Sequence, residues 1–145
     1  MKCSCGQPSA DDCKMMFDEL LAKVYTDFRY GRFHRLVVDT YSLQHPHIYM
    51  ISGKSFAAHL TGLCCAVEYG GDTDVLRRLQ QWLSGNKTVD KPDLPAHLGD
   101  LTIAHVVNAP DGGDIEVLVQ AWAESAWQAY RPYHQLARDW VETVI

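Results

Sequence analysis

Between Leu118 and Trp140 the apolar residues Leu118, Trp122, Ala126, Ala129, Tyr133, Leu136 and Trp140 recur at steps of three and four. A strand repeats its face every second residue and an α-helix about every 3.6, so this run reads as one side of a helix. The same step appears upstream in Met16, Leu20, Leu21 and Val24. No stretch alternates convincingly at period two, and the chain is therefore expected to be all-α. Pro132 falls inside the long run, where it lacks an N–H and clashes with the preceding turn, so the run should kink or split there.

Punctuation divides the rest. Ser9 can cap a first helix with Asp11 and Asp12 in its first turn, where carboxylates suit the helix dipole. Gly31 marks a break, and a second helix, "HRLVVDTYSLQH", must end near His45 because Pro46 disfavours helical backbone in the residue before it. Ser52 caps a third helix that stops at Gly70 and Gly71, and Asp72 or Thr73 opens a fourth that ends at Gly85. Residues 86–100 hold two prolines and no periodicity, which predicts a long surface loop, and such loops are often functional. A short helix over 101–109 and a turn at "PDGGD" (110–114) precede the final run. We expect one domain, 1–145: an antiparallel bundle of about five to six helices behind a Cys-containing leader, 1–10.

Composition narrows the class. With 145 residues, 47% hydrophobic and 21% charged, the chain can bury a core without staples. A formal charge of -5 argues against nucleic acid, whose binding rests on a lysine and arginine surface. The first residues contain no apolar run of the kind a secretory signal needs, and no segment is long enough to span a bilayer. We expect a cytoplasmic protein with no membrane partner, and in that compartment five cysteines suggest ligands, redox thiols or packing residues rather than disulfides. Cys64 and Cys65, adjacent in a helix, point in different directions and suit packing.

The segment His34–His47 holds three histidines and Asp39 in an otherwise core-like helix, and such groups need partners. His34 and His45 share a face but stand three turns, about 16 Å, apart, so one ion cannot bind both. If the first two helices form a hairpin around Asp27–Gly31, the position facing His45 is near Cys13, which brings Cys3 and Cys5 with it. Cys3, Cys5, Cys13 and His45 make a Cys3His set, typical of structural zinc, with His47 as the reserve ligand. The competing account leaves Cys3 and Cys5 as exposed thiols on a frayed terminus.

A second constellation is His34, His59 and His134, which would form an open metal site if the bundle gathered them. No HExxH or HxxxH pair fixes two of them locally. Asp39 shares a face with Leu36 and Leu43, which implies burial, and His59 falls near it if the third helix runs back along the second. "SGKS" at 52–55 lacks the glycine and strand of a phosphate loop and reads as a helix start. Arg29, Arg32 and Arg35 read as a solvated basic turn, and the four tryptophans as core.

The combination "HRLVVDTYSLQHP" (34–46), "HLTGLC" (59–64), "LTIAHV" (101–106) and "YHQLARDW" (133–140) resembles an uncharacterised bacterial family, a domain of unknown function, whose members begin with a cysteine pair followed by glycine. In that family the leader reads C-P-x-C-G, from which "CSCG" departs. The resemblance implies no activity.

Three readings follow. In the first, zinc on Cys3, Cys5, Cys13 and His45 has a chiefly structural role. In the second, a metal on His34, His59 and His134, with Asp39 or Tyr41 in support, activates water or a thiol in a hydrolase or thiol transferase. In the third, Cys3, Cys5 and Cys13 form a thiol redox switch. An apolar helix face on so small a bundle is compatible with a homodimer.

Overall fold

A computed structural model describes residues 3–26, 33–85, 88–109 and 114–145. Among these residues there are eight α-helices, six of seven residues or more, and no strand, so the fold is all-α as expected. The turns expected at 27–31 and 110–114 lie largely outside the described residues, as do Arg29 and Arg32.

Helix α1 (Ala10–Thr26) starts where the Asp12 amide donates to the Ser9 hydroxyl at 3.3 Å. Its buried stripe is Cys13, Phe17, Leu20 and Val24, whereas Met16 and Leu21 are only half-buried. Helix α2 (His34–Gln44) stops one residue before His45, as Pro46 requires, and Pro46 opens one further turn, α3 (Pro46–Tyr49). Every residue from Asp39 to Gln44 is buried, so this half of α2 is enclosed on all sides.

Helix α4 (Gly53–Glu68) is capped by Ser52 in a reciprocal box with Ser55. Gly70 and Gly71 take φ of +72° and +67°, a left-handed break that L side chains resist. Asp72 caps α5 (Thr73–Ser84) through the amides of Asp74 and Val75, while Gly85 ends it in extended backbone. The short α6 (Ile103–Val107) precedes α7 (Ile115–Ala129), a 3-10 turn at Arg131–Tyr133 and α8 (His134–Glu142), so Pro132 does split the final run.

The buried side of that run is broader than the expected stripe. α7 buries Ile115, Val119, Trp122, Ala123, Ala126 and Trp127, and Leu136 in α8 is 36% exposed. The cause is that α7 packs against α2, α4 and α6 together, which occupies two positions per turn. Trp122 and Trp127 are core residues as expected, but Trp82 and Trp140 are only half-buried.

α2 and α4 pack against each other at the centre. One apolar cluster joins them to α5, α7 and α8, and a second lies between the leader, α1, α2, α6 and α7. The hairpin of α1 and α2 is antiparallel: Tyr25 meets His34 and Phe17 meets Tyr41, so residue numbers fall on one helix as they rise on the other.

Gln44 fastens the irregular segment to this core. Its Nε2 donates to the carbonyls of Leu98 (3.0 Å) and Leu101 (2.8 Å), and its Oε1 accepts from the indole of Trp122 at 2.9 Å. The expected surface loop is thus anchored from inside, and Leu98 is buried.

Candidate metal centre

Cys3, Cys5, Cys13 and His45 come together. One ligand atom from each lies within 4.8 Å of all the others, and the four residues are 5%, 7%, 0% and 1% exposed. Among the described residues this is the group of histidine, cysteine or carboxylate side chains close enough to hold a metal ion.

Local chemistry places each one. Cys13 sits on the buried stripe of α1, one turn before Phe17, and Phe17 stacks on Tyr41 at 3.9 Å. Tyr41 in turn stacks on His45 at 3.9 Å, so the α1–α2 interface sets the height of His45 against Cys13. The leader is no frayed end. Cys3 N–H donates to Gln7 C=O (2.8 Å) and Gly6 N–H to Cys3 C=O (3.0 Å), a tight turn that Gly6 closes with φ of +100°. Ser4 Oγ then donates to the Gln44 carbonyl and Gln7 Nε2 to Thr102 Oγ1, both at 2.9 Å, which pins the turn to α2 and α6.

The donor set fits a tetrahedral ion. Cys5 Sγ lies 3.5 Å from Cys3 Sγ and 3.6 Å from Cys13 Sγ. Two sulfurs each about 2.3 Å from a tetrahedral zinc stand about 3.8 Å apart, whereas a disulfide needs about 2.05 Å. All five cysteines of the chain are free. His45 Nδ1–H donates to the Tyr41 carbonyl at 2.7 Å, which assigns the lone pair to Nε2. That Nε2 is buried and has no hydrogen-bond partner.

Burial lowers the His45 pKa, so the imidazole is neutral and ready to coordinate. Burial pushes the Cys13 and Cys5 thiols up, and the Gln7 amide beside Cys5 pulls the other way. Raised thiols of this kind give up their protons when a cation binds, which is how thiolate sites couple loading to pH.

The other candidates go elsewhere. His47 is exposed, so His45 takes the place beside the sulfurs. His34 lies against Tyr25, with ring centroids 4.6 Å apart. His59 Nδ1–H donates to Asp39 Oδ1 at 2.9 Å, and His134 Nε2–H donates to the Trp127 carbonyl at 2.7 Å while stacking on that indole. The three form no ligand group among the described residues, because α2, α4 and α8 give each ring a separate partner.

Asp39 is buried, as its helical face implied, and bonds both His59 and Arg35 Nε (3.0 Å). Arg35 is thus a paired residue and not part of a solvated turn. The i, i+4 spacing of Arg35 and Asp39 was the available signal. Gln44, Ser4 and Gln7 were missed as site supports, since bonds spanning dozens of residues leave no local pattern.

No curated protein and no solved structure matches the chain. A family model does, over residues 1–131, and its description is a family of unknown function (DUF5946).

Proposed function

The chain belongs to DUF5946, a family of unknown function, and since that membership carries no activity we propose from the site itself that the protein binds zinc through Cys3, Cys5, Cys13 and His45. The role is chiefly structural. Four protein ligands complete a tetrahedron and leave no position for a water, which is the mark of a closed site. The ion ties the leader to the α1–α2 hairpin, adding to the polar bonds of Ser4 and Gln7 and to the apolar cluster in which Cys3 and Cys5 sit. The observation that carries the reading is the buried Nε2 of His45, unpartnered beside three sulfurs, because leaving such a nitrogen unsatisfied costs about 1 to 3 kcal/mol. Five free cysteines fit the reducing cytoplasm, where we place the protein.

The close approach of Cys5 to both other sulfurs favours a second reading, a thiol switch, which predicts reversible disulfide formation and no bound metal. One experiment separates the two. Metal content and free thiols are measured on protein purified without chelator, for wild type, Cys13→Ser and His134→Ala. Zinc at about one ion per chain in wild type and His134→Ala, and lost in Cys13→Ser, supports the structural site. Metal-free wild type whose melting is unmoved by added zinc overturns it.

A further inference from the structure

The Asp39 side chain is 2% exposed between α2 and α4, and each of its oxygens accepts from a different side chain. Oδ1 takes the Nδ1–H of His59 at 2.9 Å, and Oδ2 takes the Nε–H of Arg35 at 3.0 Å. Helix α4 is notched to admit the group. A Cβ on Gly62 would stand 2.1 Å from Asp39 Oδ2 and 3.0 Å from Arg35 Nη2, so the carboxylate and the guanidinium fill space that a side chain would otherwise take. Stability alone explains this poorly, since apolar residues of similar volume often serve a core as well as a buried ion pair does.

The arrangement leaves chemistry at the outer edge of the imidazole. Nδ1 carries the proton given to Asp39, so the neutral ring has its lone pair on Nε2. With Nδ1 turned inward and the side chain 20% exposed, the far edge, which holds Nε2, is the one that solvent reaches. A carboxylate on the opposite nitrogen fixes the tautomer and offsets the positive charge that grows on the ring when Nε2 attacks. Arg35 Nη2 also donates to the Ala58 carbonyl at 3.4 Å, which holds the guanidinium against the turn of α4 that carries His59. Its side chain is 39% exposed, and its planar N–H donors suit phosphoryl oxygens.

We propose that His59 is a phosphoryl acceptor, taking the group onto Nε2 from a donor of the phosphoramidate class, which carries phosphorus on nitrogen. Asp39 positions the ring, and Arg35 neutralises the phosphoryl oxygens. The Nε2–P bond forms as the donor's P–N bond breaks. The electron pair of that bond goes to the donor nitrogen, which leaves as a neutral amine. The ring keeps its Nδ1 proton and becomes cationic against the Asp39 carboxylate. One P–N bond replaces another, so no oxidant or reductant enters. The proposal is independent of the Cys3His site.

The test incubates the purified full chain with potassium phosphoramidate near neutral pH and locates the phosphoryl group by mass spectrometry without acid. His47 and His97 are exposed rings of the same chain, and His97 is itself bonded to the exposed Asp100 at 2.9 Å, so the two serve as internal standards. The expected result is that His59 reacts at least about three-fold faster than either, although it is less exposed, with nitrogen–phosphorus coupling showing the group on Nε2. Asp39→Asn keeps an acceptor for Nδ1–H but loses the charge, and should slow His59 about ten-fold while His47 and His97 react as before. Arg35→Gln, at a half-exposed side chain, should slow it about two- to five-fold. His59 no faster than the standards, or phosphorylated on Nδ1, would overturn the assignment on wild type alone, whatever the variants do to folding. A rate indifferent to Asp39→Asn or to Arg35→Gln would overturn it as well.

Discussion

His45 lays its ring on Tyr41 at 3.9 Å and donates its Nδ1–H to the carbonyl of that same residue, so that Nε2 is the nitrogen left for the three sulfurs. Both contacts are made one helical turn away, at i−4, so the ring is oriented before any ion arrives. His45→Ala should therefore weaken zinc at least about ten-fold, read by competition with a coloured chelator. Chelation should lower the melting temperature of wild type and leave Cys13→Ser unmoved.

Gln44, the last residue of α2, bonds α7 and the irregular segment at once. Gln44→Leu keeps the volume but leaves the Trp122 indole N–H and the carbonyls of Leu98 and Leu101 without partners. We expect a loss of about 3 kcal/mol or more in urea unfolding. An unchanged midpoint would mean that water replaces all three bonds.

Two glycines should behave oppositely. A Cβ on Gly62 would stand 2.1 Å from Asp39 Oδ2, and Asp39 is buried and held by Arg35 and His59, so it cannot step aside. Gly62→Ala should cost about 2 to 4 kcal/mol. Among the described residues a Cβ on Gly85 meets nothing closer than 3.6 Å, in extended backbone, so Gly85→Ala should be tolerated, as thermal melts of the pair would show.

Alkaline pH should destabilise the fold through a thiol outside the Cys3His group. Burial, helped by the nearby Glu68 carboxylate, pushes Cys64 up to about 12 from its ordinary 9.0. Below pH 9 both folded and unfolded chains hold the proton, and the contribution is full. Between the two values only the unfolded chain releases it, so stability falls as pH rises, by at most about 1.4 kcal/mol per pH unit. Urea midpoints between about pH 8 and about pH 10.5 should decline, and Cys64→Ala should make the slope shallower.

Much of this was legible in the chain because its causes are local. Ser52, Asp72 and the Gly70–Gly71 pair set helix ends through bonds and φ values within a few residues, and Pro46 and Pro132 broke helices at the positions they occupy. The pairing of Cys13 with His45 was also readable, since on two neighbouring antiparallel helices residue numbers fall on one as they rise on the other. Helical period gave the phase of α7 only approximately, for it says that a face is buried and not how many neighbours cover it.

Packing alone chose the rest. The leader was equally consistent with a frayed end until Ser4 and Gln7 found Gln44 and Thr102, contacts that span 40 and 95 residues. His34, His59 and His134 were three similar rings in sequence, and the crossings of α2, α4 and α8 sent each to a different acceptor or aromatic face. Helix ends follow from bonds a chain makes with itself within one turn, whereas a site follows from which faces meet, and that choice is made when the whole core closes.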